Sequence, residues 1–183
     1  MTVLGISGSL RKNGNTATLV NTILERVREA GVETEYISLA GMEIRPCTGC
    51  ETCRETKWCV TEDDDWGFVA RRMVECEVLV LGAPTYYYDI NGQTKNLINR
   101  TYSLFHERKL SGRRAVAVAV CGDRGCERTL ETIEGFLNAH EFSYLGYVCG
   151  RGYAAGDVRN DERAMARARE VADTIVRYIR PED

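Results

Sequence analysis

Thr2-Val-Leu-Gly-Ile-Ser-Gly-Ser-Leu-Arg-Lys-Asn-Gly-Asn-Thr16 decides the fold of this chain. Thr2 to Ser7 reads as a short apolar strand. Small and polar residues follow. Asn15 to Ala30 then carries Ala17, Val20, Ile23, Leu24 and Val27 at helical spacing, and Gly31 stops it. A strand that runs through small residues into a helix makes an anion cradle, because the backbone can wrap closely and the helix N-terminus offers free N–H groups and positive potential. Ser9, Asn15 and Thr16 add short polar donors and Arg11 adds charge, so a phosphate fits here. The loop is not a Walker A sequence, since five residues separate Gly8 from Gly14 and Asn15 stands where lysine is needed. G-x-G-x-x-G is absent as well, which disfavours ATP hydrolysis and a Rossmann NAD site. An ordinary polar strand-to-helix turn stays open as the plain alternative.

The same alternation continues outward. Val32 to Leu39 reads as a more polar edge strand. Thr61 and the acids Glu62 to Asp65 suit a helix start, and that helix runs to about Glu75. Glu77 to Ala83 is a buried strand and Gly92 to Phe105 a helix. Arg114 to Cys121 is a strand, Glu127 to His140 a helix, Phe142 to Cys149 a strand and Asp161 to Arg180 the last helix. Five strands alternating with five helices imply a parallel sheet covered on both faces. The short doubly wound form of this α/β class is the flavodoxin-like fold, with strand order 2-1-3-4-5 and ligands beyond the carboxyl ends of the strands. Residues 1–183 therefore read as one domain, with a cysteine-rich loop, 40–61, inserted between the second strand and the second helix.

That loop contains Cys47-Thr-Gly-Cys50-Glu-Thr-Cys53-Arg-Glu-Thr-Lys-Trp-Cys59, a C-x2-C-x2-C-x5-C run. Three thiols three residues apart can turn inward on one tight loop and a fourth can close the set, which suits a [4Fe-4S] cluster. Zinc, strained disulfides and free surface thiols compete, although zinc sites more often pair two knuckles across a longer gap. The gap of five and Val60 after Cys59 depart from the bacterial ferredoxin run. Two more loops belong to the same sheet edge. One is Ala83-Pro-Thr-Tyr-Tyr-Tyr-Asp-Ile-Asn-Gly92, whose aromatics suit a planar ring or an interface. The other is Cys121-Gly-Asp-Arg-Gly-Cys126.

Together these motifs resemble the NAD(P)H-dependent FMN reductase superfamily, and within it the iron–sulfur flavoproteins of anaerobic archaea and bacteria. The resemblance spans nearly the whole chain. It implies FMN, with Ser9, Arg11, Asn15 and Thr16 at the phosphate, Pro84, Thr85, Tyr86 and Tyr87 at the isoalloxazine, and Gly122 and Gly125 in the third loop beside them. It further implies a [4Fe-4S] cluster on Cys47, Cys50, Cys53 and Cys59. Lys95-Asn-Leu-Ile-Asn-Arg100 is similar to the family's Lys-x-Phe-x-Asp-Arg helix, with Leu97 and Asn99 in place of Phe and Asp. The implied activity is electron transfer from a one-electron donor such as ferredoxin, through the cluster to FMN, and on to an acceptor such as dioxygen or hydrogen peroxide. The implied assembly is a homodimer or homotetramer. No side chain need act as a catalytic acid or base, because the cofactors carry the chemistry. Rival readings are an NAD(P)H-dependent FMN or quinone reductase without a cluster, a non-enzymatic electron carrier, and a zinc-stabilised module.

Lys plus Arg number 24 and Asp plus Glu 27, a net charge of −3, which gives no sign of nucleic-acid binding. No apolar run approaches membrane-spanning length and the N-terminal residues lead straight into a strand, so a cytoplasmic, reducing location is expected. The remaining thiols read as packing: Cys76 in the core, and Cys121, Cys126 and Cys149 as core or loop thiols, with a redox pair at the flavin edge as the alternative. His106 and His140 read as solvated helix residues. Trp58 reads as a shield for the cysteine loop or a partner-docking residue.

Overall fold

The computed structural model describes residues 2–180. Five long strands form one parallel sheet: β1 (Thr2–Ser7), β2 (Glu33–Ser38), β3 (Val78–Tyr86), β5 (Arg114–Cys121) and β6 (Ser143–Arg151). Their order is β2-β1-β3-β5-β6, which is the expected 2-1-3-4-5 once a two-residue strand, β4 (Asp89–Ile90), is counted. β4 turns back antiparallel on the end of β3, pairing Thr85 with Ile90 and Tyr86 with Asp89. The sequence reading missed this hairpin because it ended the strand at the Gly82-Ala83-Pro84 stretch. Pro84 pairs with Val120, near the end of the β3–β5 ladder.

Alternation along the strands sorts side chains onto two faces. Leu4, Ile6, Leu79, Leu81, Ala115 and Ala117 point to a core shared with helices α3 (Trp66–Glu75), α4 (Gly92–Arg100) and α6 (Cys126–Ala139). Val3, Val78, Val80, Val116 and Val118 point to the other core, under α1 (Asn15–Glu29) and α7 (Glu162–Ile179). α7 buries Ala164, Ala168, Val171, Ala172 and Ile175 and leaves its charges to solvent, as expected of a sheet-covering helix. Gly82 brings α1 close to the sheet. A Cβ there would lie 2.6 Å from Val20 and 2.9 Å from Thr16, so a side chain would push away the helix that begins the anion loop.

The helix expected over Gly92 to Phe105 is broken. Thr101 turns its hydroxyl back to the Ile98 carbonyl at 2.6 Å, and such back-bonding bends a helix. α5 (Tyr102–Phe105) departs from there. On its far side Thr101 meets His140 Nε2 at 3.0 Å. His140 is therefore not solvated: it is buried beside Phe136 and Phe105, and burial pushes its pKa down to about 4. Its folded pKa lies below the ordinary 6.5, so its contribution to stability is complete above pH 6.5 and is lost as pH falls toward 4. Denaturant titrations across that window should show a decline that His140→Gln reduces. An unchanged slope in the variant would assign the decline to other groups.

Candidate FMN site and cysteine cavity

The anion loop is built as its sequence implies. The Gly8 N–H donates to the Gly82 carbonyl at 2.7 Å, and Asn91 Nδ2 donates to the Gly8 carbonyl at 2.8 Å. A Cβ on Gly8 would strike Thr94 Oγ1 at 1.8 Å, so only glycine lets the loop lie this close to α4. Ser9 is buried and its Oγ accepts the Arg11 N–H at 3.1 Å. Gly14 occupies the α1 N-cap with no side-chain cap, leaving the first-turn N–H groups to an external anion. Thr16 is buried at the second helical position.

Two loop residues have further duties that the sequence did not reveal. The Asn15 amide spans to the segment after β6: Nδ2 donates to the Ala154 carbonyl at 2.8 Å, and Oδ1 accepts from the N–H groups of Gly156 and Val158 at 2.9 and 3.3 Å. Its side chain is thus a strut between loops, leaving its backbone N–H at the helix start for an anion. Arg11 donates to the Tyr153 carbonyl at 2.8 Å. Tyr153, which the sequence reading did not single out, also lays its ring over Gly122, where a Cβ would be 2.3 Å from the ring. Asp157 accepts the N–H groups of Tyr153 and Ala154 and holds this segment in place.

The aromatic loop is the β3–β4 hairpin. Thr85 Oγ1 meets Thr129 Oγ1 at 2.8 Å, tying it to α6. Tyr87 and Tyr88 form the turn with φ of +50° and +67°, values that such tight turns normally assign to Gly, Asn or Asp. Tyr86, Tyr87 and Tyr88 are exposed. Gly125, at φ +100°, lies where a Cβ would be 3.0 Å from Tyr88 Cα. Three loops from separate strands thus meet, with bulky rings held in a costly conformation at their junction. Tyr88→Gly should raise stability by about 0.5–1 kcal/mol through relief of that conformation, while flavin affinity falls. Denaturant melts and flavin titration check both; a loss of stability would mean that Tyr88 packing outweighs the strain.

The cysteine run leaves the end of β2 and is stitched down on its way out. Asp65 accepts the Glu43 N–H at 2.8 Å and Asp64 the Arg45 N–H at 2.9 Å. Gln93 and Asn96 of α4 donate to the Met42 and Ile44 carbonyls at 2.8 and 3.0 Å. The acidic run is therefore more than a helix start: Asp63, Asp64 and Asp65 clamp the base of the loop. Beyond it, Cys47, Cys50, Cys53 and Cys59 all line one cavity, together with Arg100, Tyr102 and Ser103. Cys53 opens the short helix α2 (Cys53–Thr56), and Lys57 at φ +58° closes it and turns the chain toward Cys59. All four thiols are free. Hydrogen bonds from Thr52 hold the Cys50 thiol below its usual pKa, whereas burial pushes that of Cys53 up.

Arg100 sits behind this cavity, 1% exposed. Its guanidinium pairs with the buried Asp64 carboxylate, donates to the Thr61 carbonyl at 2.6 Å and to Cys59 Sγ at 3.4 Å, and lies 4.8 Å from the Trp66 ring. Burial alone would push the Asp64 carboxyl up. The Arg45 N–H, the Arg100 guanidinium and the Trp66 N–H outweigh it and hold the group below the ordinary carboxylate range. Trp58 meets Trp66 with ring centroids 5.3 Å apart and planes tilted by 57°, and it packs against the core. His106, expected to be solvated, is half-buried with Nε2 3.6 Å from Cys53 Sγ and its ring against Tyr102. Cys76 is core packing, its thiol raised to about 12 by burial.

The family model for NADPH-dependent FMN reductase matches residues 1–151. The chain is 35% identical to an iron–sulfur flavoprotein of Methanocaldococcus jannaschii, over 98% of both proteins. It is 31% identical to an iron–sulfur flavoprotein of Methanosarcina thermophila, over 80% of this chain and 78% of that one. Among solved structures it superposes on the Trp repressor binding protein from Bacillus subtilis with a TM-score of 0.71 at 23% identity, covering 92% of this chain and 99% of that one. A flavodoxin from the domain Archaea gives 0.57 at 14% identity, over 94% and 99%. These two likenesses show the flavodoxin-like fold. The chain belongs to the NADPH-dependent FMN reductase family and is a flavin-dependent oxidoreductase. Within that family it groups with the iron–sulfur flavoproteins. No helix among the described residues is long and apolar enough to cross a membrane.

Proposed function

We propose that this protein carries electrons from a one-electron donor such as ferredoxin, through a [4Fe-4S] cluster held by Cys47, Cys50, Cys53 and Cys59, to FMN and on to a small acceptor such as dioxygen or hydrogen peroxide. The observation that carries this reading is the single cavity lined by all four cysteines with a buried arginine against one of them. Thiolates are the usual ligands of such clusters. The donor spacing supports a cluster over one zinc ion. Among the described residues, the thiols gathered within 4.8 Å of one another are Cys121, Cys126 and Cys149, outside this loop. A single ion bound at about 2.3 Å by four thiolates needs sulfurs about 4 Å apart.

The cluster would supply one-electron steps and FMN one- or two-electron storage. The chain's own residues bind and tune. Arg100 would set its positive charge and an N–H against the Cys59 sulfur, and His106 would stand beside that of Cys53. Trp58 and Trp66 exclude water from the inner side of the loop. The Gly8–Thr16 loop and the α1 N-terminus would hold the FMN phosphate, and the Pro84–Tyr88 hairpin and the Gly122–Gly125 loop would flank the ring. We assign the working unit as a homodimer or homotetramer, supported by the exposed rings of Tyr86, Tyr87, Tyr102, Phe105 and Tyr153 around the two sites. Rapid mixing of the anaerobic protein with reduced ferredoxin should bleach the flavin, while NADPH should act far more slowly. Fast bleaching by NADPH with none by ferredoxin would favour the cluster-free reductase reading.

A further inference from the structure

Three thiols outside the cysteine loop meet on the far side of the sheet edge. Cys121 ends β5, Cys126 opens α6 and Cys149 lies near the end of β6. Their sulfurs all lie within 4.8 Å of one another, and those of Cys121 and Cys126 are 3.1 Å apart. Their backbones are fixed independently of the thiols: the β5–β6 ladder pairs Ala119 with Cys149 and Cys121 with Arg151. None of the three is in a disulfide. Cys121 and Cys126 are buried, whereas Cys149 is half-buried. Cys126 and Cys149 line the groove between α6 and α7 over β6, whose lining sets six carboxylates against Arg151, Arg163 and Arg167.

We infer that Cys121, Cys126 and Cys149 form a trithiolate site for a borderline-soft divalent cation, with zinc the natural occupant and a fourth position open to the α6–α7 groove. Thiolates select this class of ion over magnesium or calcium. An ion about 2.3 Å from each sulfur places the sulfurs about 4 Å apart, between the 3.1 Å contact and the 4.8 Å limit found here. The groove gives the ion an entry path, and its excess of carboxylates over arginines draws a cation toward the thiols. A disulfide between Cys121 and Cys126 would satisfy two sulfurs but give no reason for the third to converge. Three protein ligands plus one open position is the pattern in which zinc keeps a water or accepts a small ligand.

The test uses protein purified without oxygen, with FMN, iron and sulfide counted before and after. It is titrated with Co2+ and then with Zn2+. One Co2+ per chain should bind with d–d bands in the red, clear of flavin absorption, and stoichiometric Zn2+ should displace it. Cys149→Ser and Cys126→Ser should each weaken binding by about 100-fold or more, beyond the cost of losing an outer-shell partner. Unchanged iron, sulfide and flavin in Cys149→Ser would certify its fold and keep the cysteine loop out of the signal. No Co2+ uptake, equal uptake in both variants, or a Cys121–Cys126 disulfide in peptide maps of the anaerobic protein would overturn the assignment.

Discussion

Cys59→Ser will keep its flavin and lose its iron. Cys59 lines the cysteine cavity and takes a hydrogen bond from Arg100, and none of the residues proposed for the flavin lines that cavity. Iron and sulfide should fall from about four each per chain to background, because serine is a poor replacement for the thiolates that hold such a cluster. FMN should stay near one per chain, and flavin reduction by ferredoxin should slow by about 100-fold or more while dithionite still reduces the flavin directly. The contrast between donors isolates the route from the endpoint. Loss of flavin together with iron would show that the loop supports the FMN site, and retention of iron would remove Cys59 from the ligand set.

Arg100→Met should produce the largest loss of stability of any single change near the site, about 3–5 kcal/mol. The substitution leaves the Asp64 carboxylate, whose side chain is 0% exposed, without its cation. A chemical denaturation midpoint reads this directly, and a change within 1 kcal/mol would refute the buried pair. Arg100→Lys keeps the charge but loses the fork that reaches Asp64, Thr61 and Cys59 together, so it should fold with an intermediate loss. With fewer N–H donors on the Cys59 sulfur, the potential of the proposed cluster should move negative, since hydrogen bonds to sulfur raise such potentials. The pair also sets an acid limit. The Asp64 carboxyl is depressed in the fold, so its stabilisation is complete above the ordinary aspartate pKa of about 3.9 and disappears as pH falls through the folded value.

The layered fold was legible because near-continuous apolar strands and period-3.6 helices alternate along the chain, and the five parallel strands follow that pattern, whereas the short β4 does not. The anion loop and the cysteine run were legible because their chemistry is contiguous in sequence. What stayed hidden depends on contacts across the chain. The Asn15 strut reaches 139 residues away to Ala154, and nothing near Asn15 announces it. Arg100 stood in a recognisable helix motif, but its place against Cys59 follows from the break at Thr101 and the turn of the loop after Lys57. His106 and His140 looked solvated because they lie late in polar helix stretches, whereas in the fold their rings pack against Tyr102, Phe105 and Phe136. The β3–β4 hairpin was obscured because two tyrosines occupy turn positions that normally carry glycine or asparagine. The Cys121, Cys126 and Cys149 thiols were visible one by one, and only the strand register brings their sulfurs together.

Counting FMN, iron, acid-labile sulfide and zinc on one sample purified without oxygen tests the central claim most directly. The account predicts about one flavin, four irons and four sulfides per chain, with any zinc in addition to the iron. Flavin without iron or sulfide would contradict it and leave a cluster-free flavin reductase.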